Sequence, residues 1–167
     1  MKICNRFLNI NEMTRSKEKI TNIQNIIICP FYYKDLIKYL ESLKFQDEKY
    51  LSYHYSINKE GEILNLIPES EVSYPTNNID FNFTCISVAV YLNNKKARIN
   101  NKEEESLIYL IKILCNKYKL NVNKNVIIGN DIFNTREFEY YIDNKIEIDN
   151  IKQNIKKLLL WSIRNVS

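Results

Sequence analysis

The sequence predicts a single α/β domain, in which a central mixed β-sheet is flanked by helices. Three observations indicate this class. Two short apolar runs, at 23–29 and 85–92, are typical of strands buried on both faces. The stretch at 50–67 has the pattern of a β-hairpin, and 102–120 carries apolar residues at helical spacing. Local periodicity therefore alternates between strand and helix along the chain.

The first half of the chain is expected to contribute a buried strand, a short helix and a hairpin. The buried strand at 23–29 is followed by a short helix at 34–44, whose apolar residues fall on one face. Next, "YLSYHYSIN" and "EILNLIP" read as two strands joined by a tight turn, in which Gly61 supplies the positive φ. The segment at 68–83 is rich in turn residues, so we expect it to be irregular.

The second half is expected to hold the central strand and the longest helix. The continuous apolar and β-branched content of "CISVAVYL" places 85–92 at the middle of the sheet. The helix at 102–120 begins with acidic residues, which the helix dipole favours. A short strand at 125–129, a loop to about 148 and a C-terminal helix capped by Asp149 complete the prediction.

Length, composition and charge limit the functional classes. The 167 residues, 45% of them hydrophobic, suit one compact domain, with a lead-in at 1–22 and a core at 23–164. The net charge is only +4, and the basic residues form no stripe, so we expect no nucleic-acid partner. The sequence shows neither a signal peptide nor a membrane span. A cytoplasmic location follows, with release by cell lysis open to a phage-derived protein.

The four cysteines are expected to be free thiols. They form no CxxC pair, and three of them lie inside apolar runs, where a thiol behaves as a small hydrophobic group. Cysteines of this kind indicate that the protein resides in a reducing compartment. The residues are Cys4, Cys29, Cys85 and Cys115.

Several strings resemble one enzyme family. They are "NIIIC", "SYHYSINKEGEILNLIPESEVSYP", "CISVAV" and "SLIYLIKILCNKYKLNVNKNVIIGND". Together they are similar to the zinc-dependent N-acetylmuramoyl-L-alanine amidases of the phage endolysin and peptidoglycan recognition protein type, over roughly 8–160. The resemblance implies a mixed sheet with helices on both sides and a zinc ion in a groove across the strand ends.

The zinc ligands implied by the resemblance are altered in this chain. Cys29 stands where the family has a histidine at the end of the first buried strand, and Asn130 replaces the second histidine. Depending on one gap, the third ligand position aligns with Glu137, Phe138 or Tyr140. Asparagine is a poor zinc ligand, and of the three alternatives only glutamate could bind metal. We therefore expect no zinc cofactor and treat Cys29, Asn130 and Glu137 as a degenerate metal site.

Other positions of the resemblance are also changed. Ala89 stands where some members carry a general-base carboxylate, and "SYP" replaces a string that ends in histidine. By the resemblance, Tyr53 aligns with an active-site tyrosine and Arg136 lies near an oxyanion-stabilising lysine. With His54, these are the residues that would act if the chain were active. Packing with one hydrogen bond explains His54 equally well, and Arg136 fits a solvated loop.

The sequence therefore favours a catalytically inactive amidase-like module. Its former active-site groove would bind a peptidoglycan fragment or a protein partner. One alternative is an active peptidoglycan amidase with an unusual zinc site, and another is an unrelated regulatory role of the surface. Cys29 itself can be a buried small side chain, a ligand or a nucleophile. The expected groove is lined by Cys29, Tyr53, His54, Tyr74, Asn130 and Arg136.

Overall fold

The computed structural model describes residues 1–31, 34–44, 50–91 and 99–128. Within these ranges the chain forms one mixed six-stranded sheet with the order β1-β4-β3-β5-β2-β6. Strand β5 lies in the interior of the sheet, as the sequence predicts. The strands are β1 (Ile3–Asn5), β2 (Asn25–Phe31), β3 (Tyr55–Ile57), β4 (Ile63–Asn65), β5 (Cys85–Tyr91) and β6 (Val126–Ile128).

Four strands run in the same direction and define the two ends of the sheet. Strands β3, β5, β2 and β6 are parallel to their neighbours in that order. Strand β4 is antiparallel to β3, and β1 is parallel to β4. Residues that follow the four parallel strands therefore lie at one end of the sheet, and residues that precede them lie at the other.

Four helices accompany the sheet in the described part of the chain. They are α1 (Leu36–Ser42), α2 (Ile79–Asn82), α3 (Asn101–Tyr118) and α4 (Val122–Asn125). Helix α3 matches the helix predicted at 102–120, whereas α2 and α4 are single turns that the sequence did not indicate. None of these described helices is long and apolar enough to cross a membrane. The helix predicted from Asp149 lies outside the described residues.

The hydrophobic core has two parts, one on each face of the sheet, and successive side chains of β2 point to them in turn. Ile26 and Ile28 pack with α3 residues such as Leu110, whereas Ile27 and Cys29 pack with α1 residues such as Leu40. Helices therefore cover both faces, as expected for this class. Cys29, Cys85 and Cys115 are buried in these clusters and Cys4 is exposed, and none of the four is in a disulfide.

The predicted hairpin is present, but its first strand is shorter than the sequence indicates. Strand pairing is confined to Tyr55–Ile57, because the preceding backbone groups bond outside the sheet ladder. Ser52 N–H donates to the carbonyl of Tyr74, and His54 N–H donates to the hydroxyl of Ser87. The turn itself agrees with the prediction, since Gly61 has a φ of +78°.

The N-terminal lead-in contributes a strand to the sheet. Strand β1 pairs with β4, and the ladder continues as Leu8 N–H donates to the carbonyl of Leu66. Farther along, Arg15 forms a two-pronged ion pair with Glu71, with nitrogen–oxygen distances of 2.8 and 3.1 Å. These contacts fix residues 3–20 against the hairpin and the segment that follows it.

Candidate functional site

A cavity lies at the ends of the parallel strands, where the sheet of this fold meets solvent. Its volume is about 290 Å³, and its lining comes from segments that end or follow β2, β3 and β5. Two aromatic rings, Phe31 and Tyr91, meet edge to face there with centroids 5.5 Å apart. We call it the strand-end cavity. Its lining residues are Phe31, Lys34, Asp35, Leu36, Ile37, Ser56, Asn58, Lys59, Glu60, Leu64 and Tyr91.

One row of the sheet connects this cavity to the positions that the resemblance marks as catalytic. The register places Cys29 opposite Ala89, Ala89 opposite Ser56, and Ser56 opposite Leu64. Ser56 and Leu64 line the cavity, whereas Cys29 and Ala89 are fully buried. The two positions that the resemblance aligns with a histidine and a carboxylate are thus neighbours in one row beside the cavity.

The rim of the strand-end cavity carries charge of both signs. Lys59 lies 3.5 Å from Glu60, and both side chains are largely exposed. Asp35 caps α1 by accepting a hydrogen bond from the N–H of Lys38 at 3.0 Å. Lys34 forms no ion pair with any described residue. The cavity therefore combines an aromatic floor with a lysine available for an anionic group.

The described donors do not make a zinc site. Among the residues that the structure describes, no three His, Cys, Asp or Glu side chains form a group that could hold a metal ion. Cys29 is enclosed in the hydrophobic cluster beside α1, and its neighbour Ala89 offers only a methyl group. The other two aligned positions, Asn130 and Glu137, lie outside the described residues.

His54, the chain's one histidine, is fully buried and bonded through both ring nitrogens. The backbone N–H of Ser87 donates to Nδ1 at 3.0 Å, so Nδ1 is the unprotonated nitrogen. Nε2 therefore carries the proton and donates to the carbonyl of Glu71 at 2.8 Å. The hydroxyl of Ser73 also lies 2.9 Å from Nδ1. Burial lowers the pKa of His54 to about 4, which keeps the ring neutral.

The other predicted groove residues are distributed between the core and a different surface. Tyr53 is fully buried in the same hydrophobic cluster as Cys29, and neither it nor His54 lines the strand-end cavity. Tyr74 lies at the opposite end of the sheet, in a second cavity of about 760 Å³ beside residues that precede β3 and β5. Arg136 and Asn130 lie outside the described residues. Their place in the expected groove stays a prediction.

The lining of the strand-end cavity contains residues that the sequence analysis did not select. Lys34, Lys59 and Tyr91 are examples. A signal for them was available, because each stands at or just after the end of a predicted parallel strand, where α/β sheets bind ligands. The strings that carry the resemblance select buried positions of the same strands instead, such as Cys29 and Ala89.

Sequence comparison identifies the family. The family model described as N-acetylmuramoyl-L-alanine amidase matches residues 17–139, which is most of the chain. The chain therefore belongs to this amidase family, whose members bind or hydrolyse peptidoglycan and are typically zinc-dependent. A search of curated proteins finds no significant match.

Solved structures support the fold. The N-acetylmuramoyl-L-alanine amidase LysC from Clostridium intestinale aligns with a TM-score of 0.61 at 19% identity, covering 90% of this chain and 96% of that one. The catalytic domain of XlyA aligns with a TM-score of 0.66 at 15% identity, covering 95% and 99%. Drosophila peptidoglycan recognition protein SD aligns with a TM-score of 0.56 at 12% identity, covering 81% and 87%. The single-domain, mixed-sheet prediction is confirmed.

Proposed function

We propose that this chain is a catalytically inactive member of the amidase family that binds a peptidoglycan fragment in the strand-end cavity. The observation that carries the proposal is the row in which Cys29 stands opposite Ala89. By the resemblance, these two positions hold a zinc-binding histidine and a carboxylate in active members. Here they hold a buried thiol and a methyl group.

Amide hydrolysis of this kind needs an activated water molecule. Bound zinc supplies it by lowering the pKa of the water to about 7 and by polarising the carbonyl. Ala89 has no group that could accept a proton. His54 cannot substitute in the observed arrangement, because Ser87 N–H occupies Nδ1 and the Nε2 proton is held by the carbonyl of Glu71. These features support loss of the chemical step.

Binding does not require the lost groups. The strand-end cavity retains an aromatic floor, from Phe31 and Tyr91, and a rim of mixed charge on which Lys34 forms no ion pair with a described residue. Flat aromatic surfaces suit sugar and peptide groups, and an ammonium group suits the carboxylates of a wall peptide. The combination supports a muramyl peptide as the ligand.

The binding proposal is tested by titrating a soluble muramyl peptide into the purified chain by calorimetry. Lys34→Ala and Tyr91→Leu should each weaken binding by roughly 1–2 kcal/mol if they remove an ion pair or a ring contact. Lys112→Ala, on helix α3 away from this cavity, is the matched control and should bind like the wild type. Equal affinities for all variants would place muramyl-peptide binding outside the strand-end cavity, and no binding by the wild type would remove the peptidoglycan ligand and favour a protein partner.

Inactivity is tested separately. Protein purified without chelators should contain well under one zinc ion per chain, and it should release no peptides from purified cell-wall sacculi with added zinc. Near-stoichiometric zinc that is lost in Cys29→Ala, together with turnover above a heat-treated control, would instead establish the active alternative. Cys29→Ala is a small change in a closed core, so its fold can be checked by circular dichroism.

A further inference from the structure

One buried hydroxyl in the strand-end cavity has no partner within the described part of the chain. Ser56 lies at the middle of β3, is 5% exposed and lines the cavity, yet its hydroxyl forms no hydrogen bond with any described residue. The other buried serines of the described ranges each hydrogen-bond within the chain, and they are Ser52, Ser73, Ser87 and Ser106. Because buried polar groups are almost always satisfied, the exception marks a position where a group from outside the chain is expected to bind.

The sheet register directs this hydroxyl into the cavity. Successive side chains of a strand point to opposite faces, and the flanking residues Tyr55 and Ile57 pack into the core on the α3 side. Ser56 therefore points to the face that carries α1, as do its register partners Ala89 and Leu64. Ala89 offers only a methyl group, which cannot accept a hydrogen bond from the hydroxyl.

The surroundings of the hydroxyl are apolar, whereas the charges of the cavity lie at its mouth. Phe31 and Leu36 are the residues of the lining that are buried together with Ser56. The charged side chains of the lining are all exposed, and they are Lys34, Asp35, Lys59 and Glu60. A carboxylate placed beside Ser56 would therefore exchange most of its hydration for one hydrogen bond to a neutral group, which is costly. A neutral polar group loses far less.

We propose that Ser56 is a specificity-determining residue that hydrogen-bonds a neutral amide group of the bound peptide. This inference rests on the function proposed for the strand-end cavity, and it adds which part of the wall peptide lies at the buried end. A serine hydroxyl has one donor and two acceptor positions, so it can serve both the C=O and the N–H of an amide. The cavity volume of about 290 Å³ is small for a ligand site, so one amide-bearing residue fits there and the rest of the peptide lies outside.

The same arrangement orients the peptide. A carboxylate is favoured at the mouth, where Lys34 forms no ion pair with a described residue, and an amide is favoured beside Ser56. A peptide unit that carries one carboxamide and one carboxylate matches both positions. A unit with two carboxylates has to place one of them in the apolar part, so the cavity should prefer the amidated form.

The test compares two muramyl dipeptides by calorimetry with the full chain. One ends in isoglutamine, which has a carboxamide and a carboxylate, and the other ends in glutamate, which has two carboxylates. The wild type should bind the amidated dipeptide about tenfold more tightly. Ser56→Ala removes only the hydroxyl, so it should weaken the amidated dipeptide about fivefold and the acid dipeptide less, which reduces the preference.

A stability measurement separates a binding role of Ser56 from a structural one. Because its hydroxyl bonds to no described residue, Ser56→Ala should leave the urea midpoint of the ligand-free chain unchanged or raise it. Ser87→Ala is the matched control, since Ser87 is a buried serine on the adjacent strand β5 whose hydroxyl bonds to Ser73 and His54. It should lower the midpoint. If Ser56→Ala lowers the midpoint as much as Ser87→Ala does, the hydroxyl has a partner in the fold and the inference is overturned.

The outcomes also separate this inference from the function proposed for the cavity. If both dipeptides bind the wild type equally well, or if Ser56→Ala leaves their affinity ratio unchanged, the amide contact is refuted while the peptidoglycan ligand is retained. If neither dipeptide binds, the peptidoglycan ligand is refuted, and an NMR titration with propionamide and propionate then tests Ser56 alone. Saturable shifts at Ala89 with propionamide only, lost in Ser56→Ala, would support the amide site. Equal shifts with both compounds, or none with either, would overturn it.

Discussion

The backbone N–H of Ser87 donates a hydrogen bond to Nδ1 of His54 at 3.0 Å, and the backbone N–H of His54 donates in return to the hydroxyl of Ser87 at 3.0 Å. This reciprocal pair joins the segment before β3 to the central strand β5. It fixes the tautomer of the imidazole, because the nitrogen that accepts from Ser87 cannot carry a proton. Protonation of the ring must therefore break this contact.

The stability of the domain should consequently depend on the protonation of His54. Its pKa is about 4 in the folded chain, below its ordinary value of 6.5 because of burial. The unfolded chain then binds a proton more readily, so the contribution is complete above pH 6.5 and is lost as the pH falls toward 4. We expect the free energy of unfolding to fall by about 2 kcal/mol from this group between pH 7.5 and 5. Urea unfolding at several pH values measures it.

The control exploits the fact that this chain has one histidine. Its imidazole signals can be followed by NMR without assignment, and they should stay those of a neutral ring down to pH 5. His54→Asn retains an acceptor near Ser87 but cannot be protonated, so its stability should lose this part of the pH dependence. Titration of the folded ring near pH 6.5 would contradict the prediction.

Pattern and composition were sufficient for most of the fold. The buried runs that became β2 and β5, and the amphipathic stripe of α3, are long enough for periodicity to be decisive. Strand β1 was missed because three residues give no measurable period. It forms because β4 offers an edge that β1 can pair with, which is a tertiary cause.

The candidate site could be predicted less well, because alignment gives positions in the chain and not directions in space. Cys29 and Ala89, the positions that the resemblance singles out on β2 and β5, lie opposite each other in one row beside the cavity. Tyr74 was assigned to the same groove, but residues 70–76 follow the lead-in toward the other end of the sheet, where Tyr74 contacts Glu18. No local pattern encodes that path.

The hairpin turn should be intolerant of any side chain at Gly61. The residue has a φ of +78°, and a Cβ built there would lie 2.7 Å from the carbonyl oxygen of Lys102 in α3. Since the contacting atom belongs to helix backbone, it cannot move aside cheaply. Gly61→Ala should reduce the free energy of unfolding by about 2 kcal/mol or more, measured by urea unfolding.

The control variant for this prediction is Glu60→Ala, which removes an exposed side chain from the same turn. It removes only a surface ion pair with Lys59, so its effect should be within about 0.5 kcal/mol. Equal stabilities of Gly61→Ala and Glu60→Ala would show that the turn can separate from α3 without cost.

The lead-in should be anchored chiefly by Arg15. Its guanidinium pairs with the largely buried carboxylate of Glu71, donates to the carbonyl of Leu8 at 3.0 Å and lies over the ring of Phe7. Arg15→Ala leaves that carboxylate without its partner, so we expect a loss of about 2–4 kcal/mol in the free energy of unfolding. Arg6→Ala, an exposed arginine in the same lead-in, should change stability little. Similar losses for both would assign the anchoring to the backbone pairing instead.

Glu103 should lower the stability of the folded chain as the pH rises toward neutrality. Its Oε2 accepts from the N–H of Asn100 at 2.7 Å in the capping box of α3, but its buried Oε1 has no hydrogen-bond partner among the described residues. Burial raises its pKa to about 7, partly offset by the bond from Asn100. The folded chain therefore retains the proton more strongly than the unfolded chain, and stability is lost as the pH rises from about 4.5 to 7.

Glu103→Gln removes this dependence, because its amide oxygen can still accept from Asn100 and no charge is buried. Relative to the wild type, the variant should gain about 1–2 kcal/mol in the free energy of unfolding between pH 5 and 8. Urea unfolding across that range measures the gain, with Glu105→Gln, an exposed neighbour on α3, as the control. A wild-type-minus-variant difference that stays constant with pH would mean that the folded chain holds Glu103 with an ordinary pKa, through a contact that satisfies Oε1 in solution.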